Sequence, residues 1–149
     1  MVDNVVEVDI VLEGESFVPE YETPGAAGFD LRYVGGEQIT LMPGEHRLLT
    51  TGLRMRIPKG FELQIRPRSG VAWKNKVTIL NSPGTIDSDY TGIIKMMVIN
   101  HGITPFAINH MDRPAQGVVC PVYRARFNVV DSLEETDRGE GGFGSTGVK

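Results

Sequence analysis

Residues 53–65 are Leu-Arg-Met-Arg-Ile-Pro-Lys-Gly-Phe-Glu-Leu-Gln-Ile, two short segments of alternating apolar and polar side chains joined by a Pro-Lys-Gly turn. A period of two places one set of side chains on a buried face and the other in water, as in a half-buried strand. The same alternation occurs in residues 6–12 and 123–129, which we therefore expect to be strands. The one helix candidate is a short segment, Ser69–Asn75. Many short alternating segments between glycine and proline turns predict an all-β sandwich or barrel.

Composition limits the class of protein. The chain has 149 residues, of which 40% are apolar and 23% charged, as in a single folded domain and unlike a disordered chain. Its net charge of −4 argues against a broad nucleic-acid surface, so we expect no stable nucleic-acid binding. The single cysteine, Cys120, excludes an internal disulfide and a cysteine-based zinc site. The N-terminus has no secretory pattern and the apolar runs are short, so we expect a cytoplasmic protein without a membrane segment.

The sequence predicts two regions, a β domain over residues 1–130 and a glycine-rich arm over residues 131–149. Residues 139–144 match the dinucleotide pattern G-x-G-x-x-G, but that pattern works only where a helix follows, and the residues after it do not predict one. A disordered tail is the simplest interpretation of such a composition. The arm also combines an arginine, unhindered backbone N–H groups, hydroxyls and an aromatic ring, which suit a flap over a phosphorylated base. These residues are Arg138, Phe143, Gly144, Ser145 and Thr146.

Three further clusters combine acids, arginine and hydroxyls. Residues 26–31 are Ala-Ala-Gly-Phe-Asp-Leu, and residues 67–70, Pro-Arg-Ser-Gly, open the helix candidate. Residues 84–92 are Gly-Thr-Ile-Asp-Ser-Asp-Tyr-Thr-Gly, which we expect to form a hairpin. Taken singly, each cluster is an ordinary turn or helix cap. Together they supply carboxylates and arginines for a magnesium-bound polyphosphate, because Mg²⁺ prefers oxygen ligands shared between phosphates and a carboxylate.

In this order, the clusters resemble the motifs of the trimeric dUTP pyrophosphatases, or dUTPases. The first three motifs are those just quoted, the fourth is Arg113-Pro114-Ala115-Gln116, and the fifth runs from Arg138 to Gly147. The resemblance covers nearly the whole chain from Tyr21, and the ordered set is far more specific than any one motif. It implies a jelly-roll-like β-sandwich, a homotrimer with shared sites, and Mg²⁺-assisted hydrolysis of dUTP to dUMP and pyrophosphate. In a cell this reaction would keep uracil out of DNA and supply dUMP for thymidylate synthesis.

The resemblance also implies catalytic roles. Asp87 would be the general base for the water that attacks the α-phosphate, and Gln116 would hold that water. Asp30 would act on Mg²⁺ through the water shell of the ion. Tyr90 would lie under the deoxyribose and reject a ribose by steric conflict.

Further residues would bind the substrate. The phosphates would contact Arg68, Ser69 and Gly70. The uracil edge would be recognised by Asn81, Thr85 and Ile86, and Lys95 is a further contact. The closed arm would add Arg138, Ser145 and Thr146 at the phosphates, and Phe143 on the uracil with Gly144 beside it.

Three positions differ from the family pattern, namely Thr91, Ile93 and Pro114. Many members have arginine and an acidic or amide residue at the first two positions, and isoleucine at the third. Because proline removes a backbone donor, we expect the strand that begins there to be an edge or to pair less. We expect Gln116 to remain in the cleft.

Three other functions stay open. A dCTP deaminase of the same fold would carry a catalytic glutamate where this chain has Met97, and it would lack the glycine-rich arm. A regulatory protein would bind a protein partner more weakly when a non-hydrolysable dUTP analogue closes the arm. A purely structural jelly roll, such as a capsid subunit, would explain the strands but would leave the motifs as coincidence.

Overall fold

Short strands dominate the structure. The computed structural model describes residues 4–148, which form ten strands and one helix. In chain order they are β1 (Asp9–Leu12), β2 (Phe29–Leu31), β3 (Ile39–Leu41), β4 (His46–Arg56), β5 (Phe61–Pro67), α1 (Ser69–Asn75), β6 (Val77–Ile79), β7 (Gly84–Ile86), β8 (Ile93–Asn100), β9 (Phe106–Ile108) and β10 (Ala115–Pro121). The helix has the predicted bounds, and the all-β class is confirmed. Within residues 4–148, no helix has the length and apolar character needed to cross a bilayer.

Two four-stranded antiparallel sheets form the body of the fold. One sheet has the order β1-β4-β8-β6 and the other β2-β10-β5-β7, while β3 and β9 form a separate pair. The alternation in residues 53–65 decides which side chains lie in the core, since Leu53, Met55 and Leu63 are buried and Arg54 is exposed. Burying each such apolar side chain contributes about 1.5–3 kcal/mol. The predicted sandwich is confirmed.

A bulge interrupts β4 where it crosses β8. Their register shifts between Thr50 and Arg54, and Gly52 within the bulge has a φ of 66°, a conformation that favours glycine. The Thr51 hydroxyl donates to the backbone oxygen of Ile94 at 2.7 Å, so it replaces part of the ladder that the bulge breaks. Pairing with β8 resumes at Arg54, which is exposed.

The expectation of a hairpin over residues 84–92 is wrong. β7 pairs with β5 in one sheet, whereas β8 pairs with β4 and β6 in the other. The intervening turn, in which the Tyr90 N–H donates to the backbone oxygen of Asp87 at 3.1 Å, carries the chain between the sheets. A local pattern predicts strand, turn and strand, but the partner of each strand depends on apolar contacts with distant residues.

The expected strand over residues 123–129 is also wrong, because residues 122–148 contain no strand. Tyr123 is 94% exposed and Phe127 is 89% exposed. Alternation creates an apolar face, but a strand forms only where a neighbouring strand pairs with its backbone N–H donors and C=O acceptors. Regular structure therefore ends at Pro121. The boundary at residue 130 between domain and arm stays a prediction.

Candidate functional site

A cavity of about 410 Å³ lies at the start of α1, where the residues of two motifs meet. Arg68, Ser69, Gly70 and Gln116 all line it. The chain enters α1 from an extended Arg68, with φ −93° and ψ 134°, and the first backbone N–H groups of a helix have no acceptor within the helix. Those N–H groups, the Ser69 hydroxyl and the Arg68 guanidinium are all donors. The cavity therefore suits an anionic group with several acceptor oxygens.

Sheet register brings Gln116 to this cavity. β10 lies between β2 and β5, so that Gln116 stands opposite Asp30 on one side and Arg66 on the other. Its Nε2 donates to the backbone oxygen of Pro67 at 3.0 Å. Its Oε1 lies against Gly28, where a side chain would overlap it. The carboxamide is thus held in one orientation in the cleft, as expected.

Pro114 does not make its strand an edge, and that expectation is wrong. β10 is an interior strand of its sheet. It begins at Ala115, one residue after the proline, and both residues are buried. The missing N–H of Pro114 therefore falls outside the ladder, which explains why the proline is compatible with full pairing of Gln116.

Two guanidinium groups hold Asp30. Arg68 Nε lies 3.0 Å from Oδ1 and Arg113 Nη1 lies 3.0 Å from Oδ2, and the Asp30 side chain is only 15% exposed. Arg68 Nη1 also donates to the backbone oxygen of Arg113 at 2.9 Å. Hydrogen bonds between ionised partners are roughly twice as strong as neutral ones. Asp30 therefore orients both arginines, of which Arg68 lines the cavity.

The described residues offer little for a protein-ligated metal. Within residues 4–148, no group of three or more His, Cys, Asp or Glu side chains could hold a metal ion. Both oxygens of Asp30 already accept from arginine. This donor set fits a magnesium ion held mainly by the phosphates of a substrate. A water-mediated contact from Asp30 to such an ion stays a prediction.

Strand β7 and its flanks carry most of the third motif. Thr85 and Ile86 lie in β7 and pair with β5. Asn81 packs against Gly84, at which a Cβ would lie 3.3 Å from the Asn81 Nδ2. Asp87 follows the strand and is exposed. β7 is an edge strand of its sheet, and Asn81, Thr85 and Asp87 are all exposed.

The ring of Tyr90 has a fixed orientation although it is 44% exposed. Its hydroxyl donates to the backbone oxygen of Ile93 at 2.9 Å, and a Cβ at Gly92 would lie 2.6 Å from that hydroxyl. Arg54 Nε donates to the backbone oxygen of Thr91 at 2.8 Å and ties the turn to β4. Thr91 and Ile93, which differ from the family pattern, thus support Tyr90 through their backbone.

The two predicted catalytic residues do not meet within one chain. Gln116 stands opposite Arg66 of β5, whereas Ile86, which precedes Asp87, stands opposite Leu63. With a strand spacing of about 4.8 Å and a rise of about 3.3 Å per residue, the backbones of Asp87 and Gln116 are roughly 16 Å apart. A single chain therefore joins Gln116 to Arg68 and Asp30, but not to Asp87.

Lys95 and the arm also lie apart from the cavity residues. Lys95 is exposed on β8, which belongs to the other four-stranded sheet. Arg138 Nε donates to the backbone oxygen of Gly141 at 2.8 Å, and the hydrogen bonds of residues 136–147 all join residues within the arm. The remaining predicted contacts of the arm are exposed, namely Phe143, Gly144, Ser145 and Thr146.

Residues 15–147 match the family model described as dUTPase. The chain belongs to the dUTPase family. The deoxyuridine 5'-triphosphate nucleotidohydrolase of Chlamydia pneumoniae is 54% identical over 138 residues, which are 92% of this chain and 95% of that protein. The enzyme of the same name from Roseobacter denitrificans is 56% identical over 131 residues, 87% of this chain and 86% of that protein.

Solved dUTPase structures have the same fold. A dUTPase of Staphylococcus bacteriophage 80alpha with dUPNHPP has a TM-score of 0.85 at 25% identity and covers 95% of this chain and 99% of its own. A mutant dUTPase from phage phi11 of S. aureus, described with a structural Mg(II) ion, has a TM-score of 0.77 at 24% identity over 87% of this chain and 99% of its own. The jelly-roll-like β-sandwich of the dUTPase family is thereby confirmed.

The structure adds Glu22 to the candidate site and shows that it contacts Arg113. Glu22 Oε1 lies 2.9 Å from Arg113 Nη1. Arg113 belongs to the fourth motif, so the sequence could have marked it as a site residue. Glu22 lies in the loop before β2 and follows no pattern that marks it, so only the tertiary structure could reveal it.

Proposed function

We propose that this protein hydrolyses dUTP to dUMP and pyrophosphate. The observation that carries the proposal is the cavity at the start of α1, where Arg68, Ser69 and Gly70 converge with Gln116 in a chain of the dUTPase family. These donors suit the phosphate chain of a nucleotide, and a carboxamide among them suits a water molecule. Relatives at more than half identity carry the name deoxyuridine 5'-triphosphate nucleotidohydrolase.

In the proposed reaction, a water molecule attacks the α-phosphorus in line with the bond to the leaving pyrophosphate. The Asp87 carboxylate takes a proton from this water, and the Gln116 carboxamide orients it. The Arg68 guanidinium binds the phosphates before and during the reaction. The negative charge that develops on them is met by the N–H groups of Ser69 and Gly70. Positioning and charge stabilisation account for most of the catalysis in phosphoryl transfer.

Base and sugar selection is proposed for the β7 segment. The backbone at Thr85 and Ile86, with Asn81, would recognise the uracil edge. The anchored ring of Tyr90 supports rejection of a ribose, since a ring held through its hydroxyl cannot retreat from a 2′-oxygen. Lys95 is proposed as a further substrate contact.

The separation of about 16 Å between Asp87 and Gln116 supports a site completed by a second copy of the chain. We therefore assign the activity to a homotrimer in which each site takes Asp87 and Gln116 from different copies. The exposed arm would close over the bound nucleotide, with Phe143 on the uracil and Arg138, Ser145 and Thr146 at the phosphates. Gly144 would let the backbone approach the base, consistent with its φ of 92°.

Mg²⁺ is the proposed cofactor, and when bound it would neutralise charge on the phosphate oxygens. The pairing of Asp30 with two arginines supports at most a water-mediated contact with that ion. By this activity the protein would keep uracil out of DNA and supply dUMP for thymidylate synthesis. A regulatory protein partner stays a prediction, to be tested by whether a non-hydrolysable dUTP analogue weakens its binding.

The proposal is tested by pyrophosphate release from dUTP, dTTP, dCTP and UTP in the presence of Mg²⁺. We expect release from dUTP alone, and its loss in Asp87→Asn. Asp89→Asn is the matched control, since Asp89 is an exposed acid of the same turn and is given no role in the reaction. No release from dUTP by the folded wild-type protein would overturn the proposed function.

A further inference from the structure

Four side chains of alternating charge run from the protein surface to the phosphate cavity. Glu22 Oε1 lies 2.9 Å from Arg113 Nη1, which lies 3.0 Å from Asp30 Oδ2. Asp30 Oδ1 in turn lies 3.0 Å from Arg68 Nε. Arg68 is the member that lines the cavity together with Ser69 and Gly70. The row has no net charge, so its effect on a bound nucleotide depends on geometry.

Arg68 keeps one edge for a ligand because its other groups are engaged. Nε pairs with Asp30, and Nη1 donates to the backbone oxygen of Arg113 at 2.9 Å. Among residues 4–148, the structure gives the Arg68 Nη2 group no partner. A guanidinium is a rigid planar fork, so fixing Nε and Nη1 fixes the direction of Nη2.

Arg113 is held from both sides. Its Nη1 nitrogen has two N–H groups and faces two carboxylates, Asp30 and Glu22. Its backbone follows a turn in which Met111 has a φ of 75° and the Met111 N–H donates to the backbone oxygen of Tyr33 at 2.6 Å. The backbone of Arg113 is thus fixed, and the orientation of its guanidinium is left to the two acids.

The loop before β2 brings Glu22 to Arg113. The ring of the preceding residue, Tyr21, packs edge-on against Phe29, with ring centres 5.6 Å apart. Phe29 is buried in the core and precedes Asp30. This aromatic contact packs the loop that carries Glu22 against the strand that carries Asp30.

We propose that Glu22 is a positioning residue for the reaction, acting through Arg113 and Asp30 on Arg68. The inference rests on the proposed function, because Arg68 is taken to bind the phosphates of dUTP. A contact of Arg68 with phosphate is present before and during the reaction, so its loss raises KM and leaves kcat nearly unchanged. Glu22 is 66% exposed, and exposed pairs of this kind correspond to a change of about two- to fivefold.

The direction of the change in KM distinguishes a positioning role of Glu22 from a direct effect of its charge on the substrate. A carboxylate near a phosphate site repels the substrate, so removing that charge by itself lowers KM. A second cavity, of about 380 Å³, is lined by Glu20, Glu22 and Asp30. Glu20 is the matched control, since it lies in this cavity with Glu22 but makes no ion pair within residues 4–148. Both substitutions remove one negative charge, but only one of them removes an acceptor from Arg113.

The experiment measures KM and kcat for dUTP with Glu22→Ala, Glu22→Gln and Glu20→Ala. We expect Glu22→Ala to raise KM about two- to fivefold at unchanged kcat, and 0.5 M salt to reduce this difference. Glu22→Gln keeps an acceptor oxygen for Arg113, so we expect its KM at or below that of the wild type. Glu20→Ala is expected to behave like Glu22→Gln. Equal KM values for Glu22→Ala and Glu20→Ala would overturn the inference.

A binding measurement keeps this test separate from that of the proposed function. Calorimetric titration with the imido analogue dUpNHpp gives the ratio of dissociation constants without turnover, and we expect the same two- to fivefold change for Glu22→Ala. Wild-type protein that binds the analogue but releases no pyrophosphate refutes the proposed function alone. An unchanged dissociation constant for Glu22→Ala refutes the positioning role alone.

Discussion

Gly28 leaves the space that the Gln116 carboxamide occupies, so adding one methyl group there should displace the residue proposed to hold the catalytic water. A Cβ at Gly28 would overlap Gln116 Oε1 and lie 3.2 Å from Gln116 Cδ and from a methyl carbon of Val118. To restore van der Waals contact, Oε1 must move by roughly 1 Å. The side-chain end is flexible and the backbone is not, so we expect the carboxamide to swing and the sheet to stay intact.

The expected cost in stability is small. Moving the carboxamide breaks the hydrogen bond from Gln116 Nε2 to Pro67, which contributes about 0.5–1.5 kcal/mol. Replacing glycine by alanine lowers the conformational entropy of the unfolded chain, which stabilises the folded protein by about 0.4–1 kcal/mol. The net change in the free energy of unfolding is therefore below about 1 kcal/mol, which corresponds to a Tm shift of at most about 4 °C.

The expected cost in activity is large. A displacement of about 1 Å at a group that orients the reacting water lowers kcat by about 10- to 100-fold. The assay is pyrophosphate release from dUTP at saturating substrate, together with Tm from calorimetry. Gly25→Ala is the control, because a Cβ at Gly25 would meet nothing within 4 Å in the same loop. We expect that variant to keep wild-type kcat.

Two results would refute this reasoning. Wild-type kcat in Gly28→Ala would mean that Gln116 does not hold the water, or holds it from another orientation. A further loss of kcat when Gly28→Ala is added to Gln116→Ala would mean that Gly28 acts by another route, since substitutions that act through one group are not additive.

Three further outcomes are expected. Gly117→Ala places a Cβ 2.7 Å from the ring of Phe29, and such overpacking should destabilise the protein by about 1–3 kcal/mol in urea unfolding. An unchanged urea midpoint would contradict the tight packing at this position. Asp87→Asn and Gln116→Ala should each be strongly impaired alone. Co-refolding the two variants should restore about a quarter of wild-type activity by random assortment of copies, whereas a site within one chain predicts no recovery. Chelating Mg²⁺ should abolish pyrophosphate release without lowering Tm, because the described residues form no protein-ligated metal group; a clear fall in Tm would point to a structural ion.

Local patterns in the amino-acid sequence were enough to predict the class of fold and the family. Alternation around the Pro-Lys-Gly turn predicted which side chains of β4 and β5 are buried, because a period of two depends only on the backbone of an extended chain. The helix over Ser69–Asn75 and the motif that opens it were also evident from local pattern. Motif order then indicated the dUTPase family before any contact was known, and the family model confirms it.

The contacts between these elements could be read only from the folded chain. It assigned β7 and β8 to different sheets, left residues 123–129 without a strand, and set Gln116 beside Asp30 by register. It also joined Glu22 to Arg113, which are 91 positions apart in the chain. Strand pairing and ion pairs join groups that are distant in sequence, and the free energy that selects them comes from packing and desolvation in the folded chain. Strand partners and ion pairs of this kind therefore cannot be predicted from a local pattern.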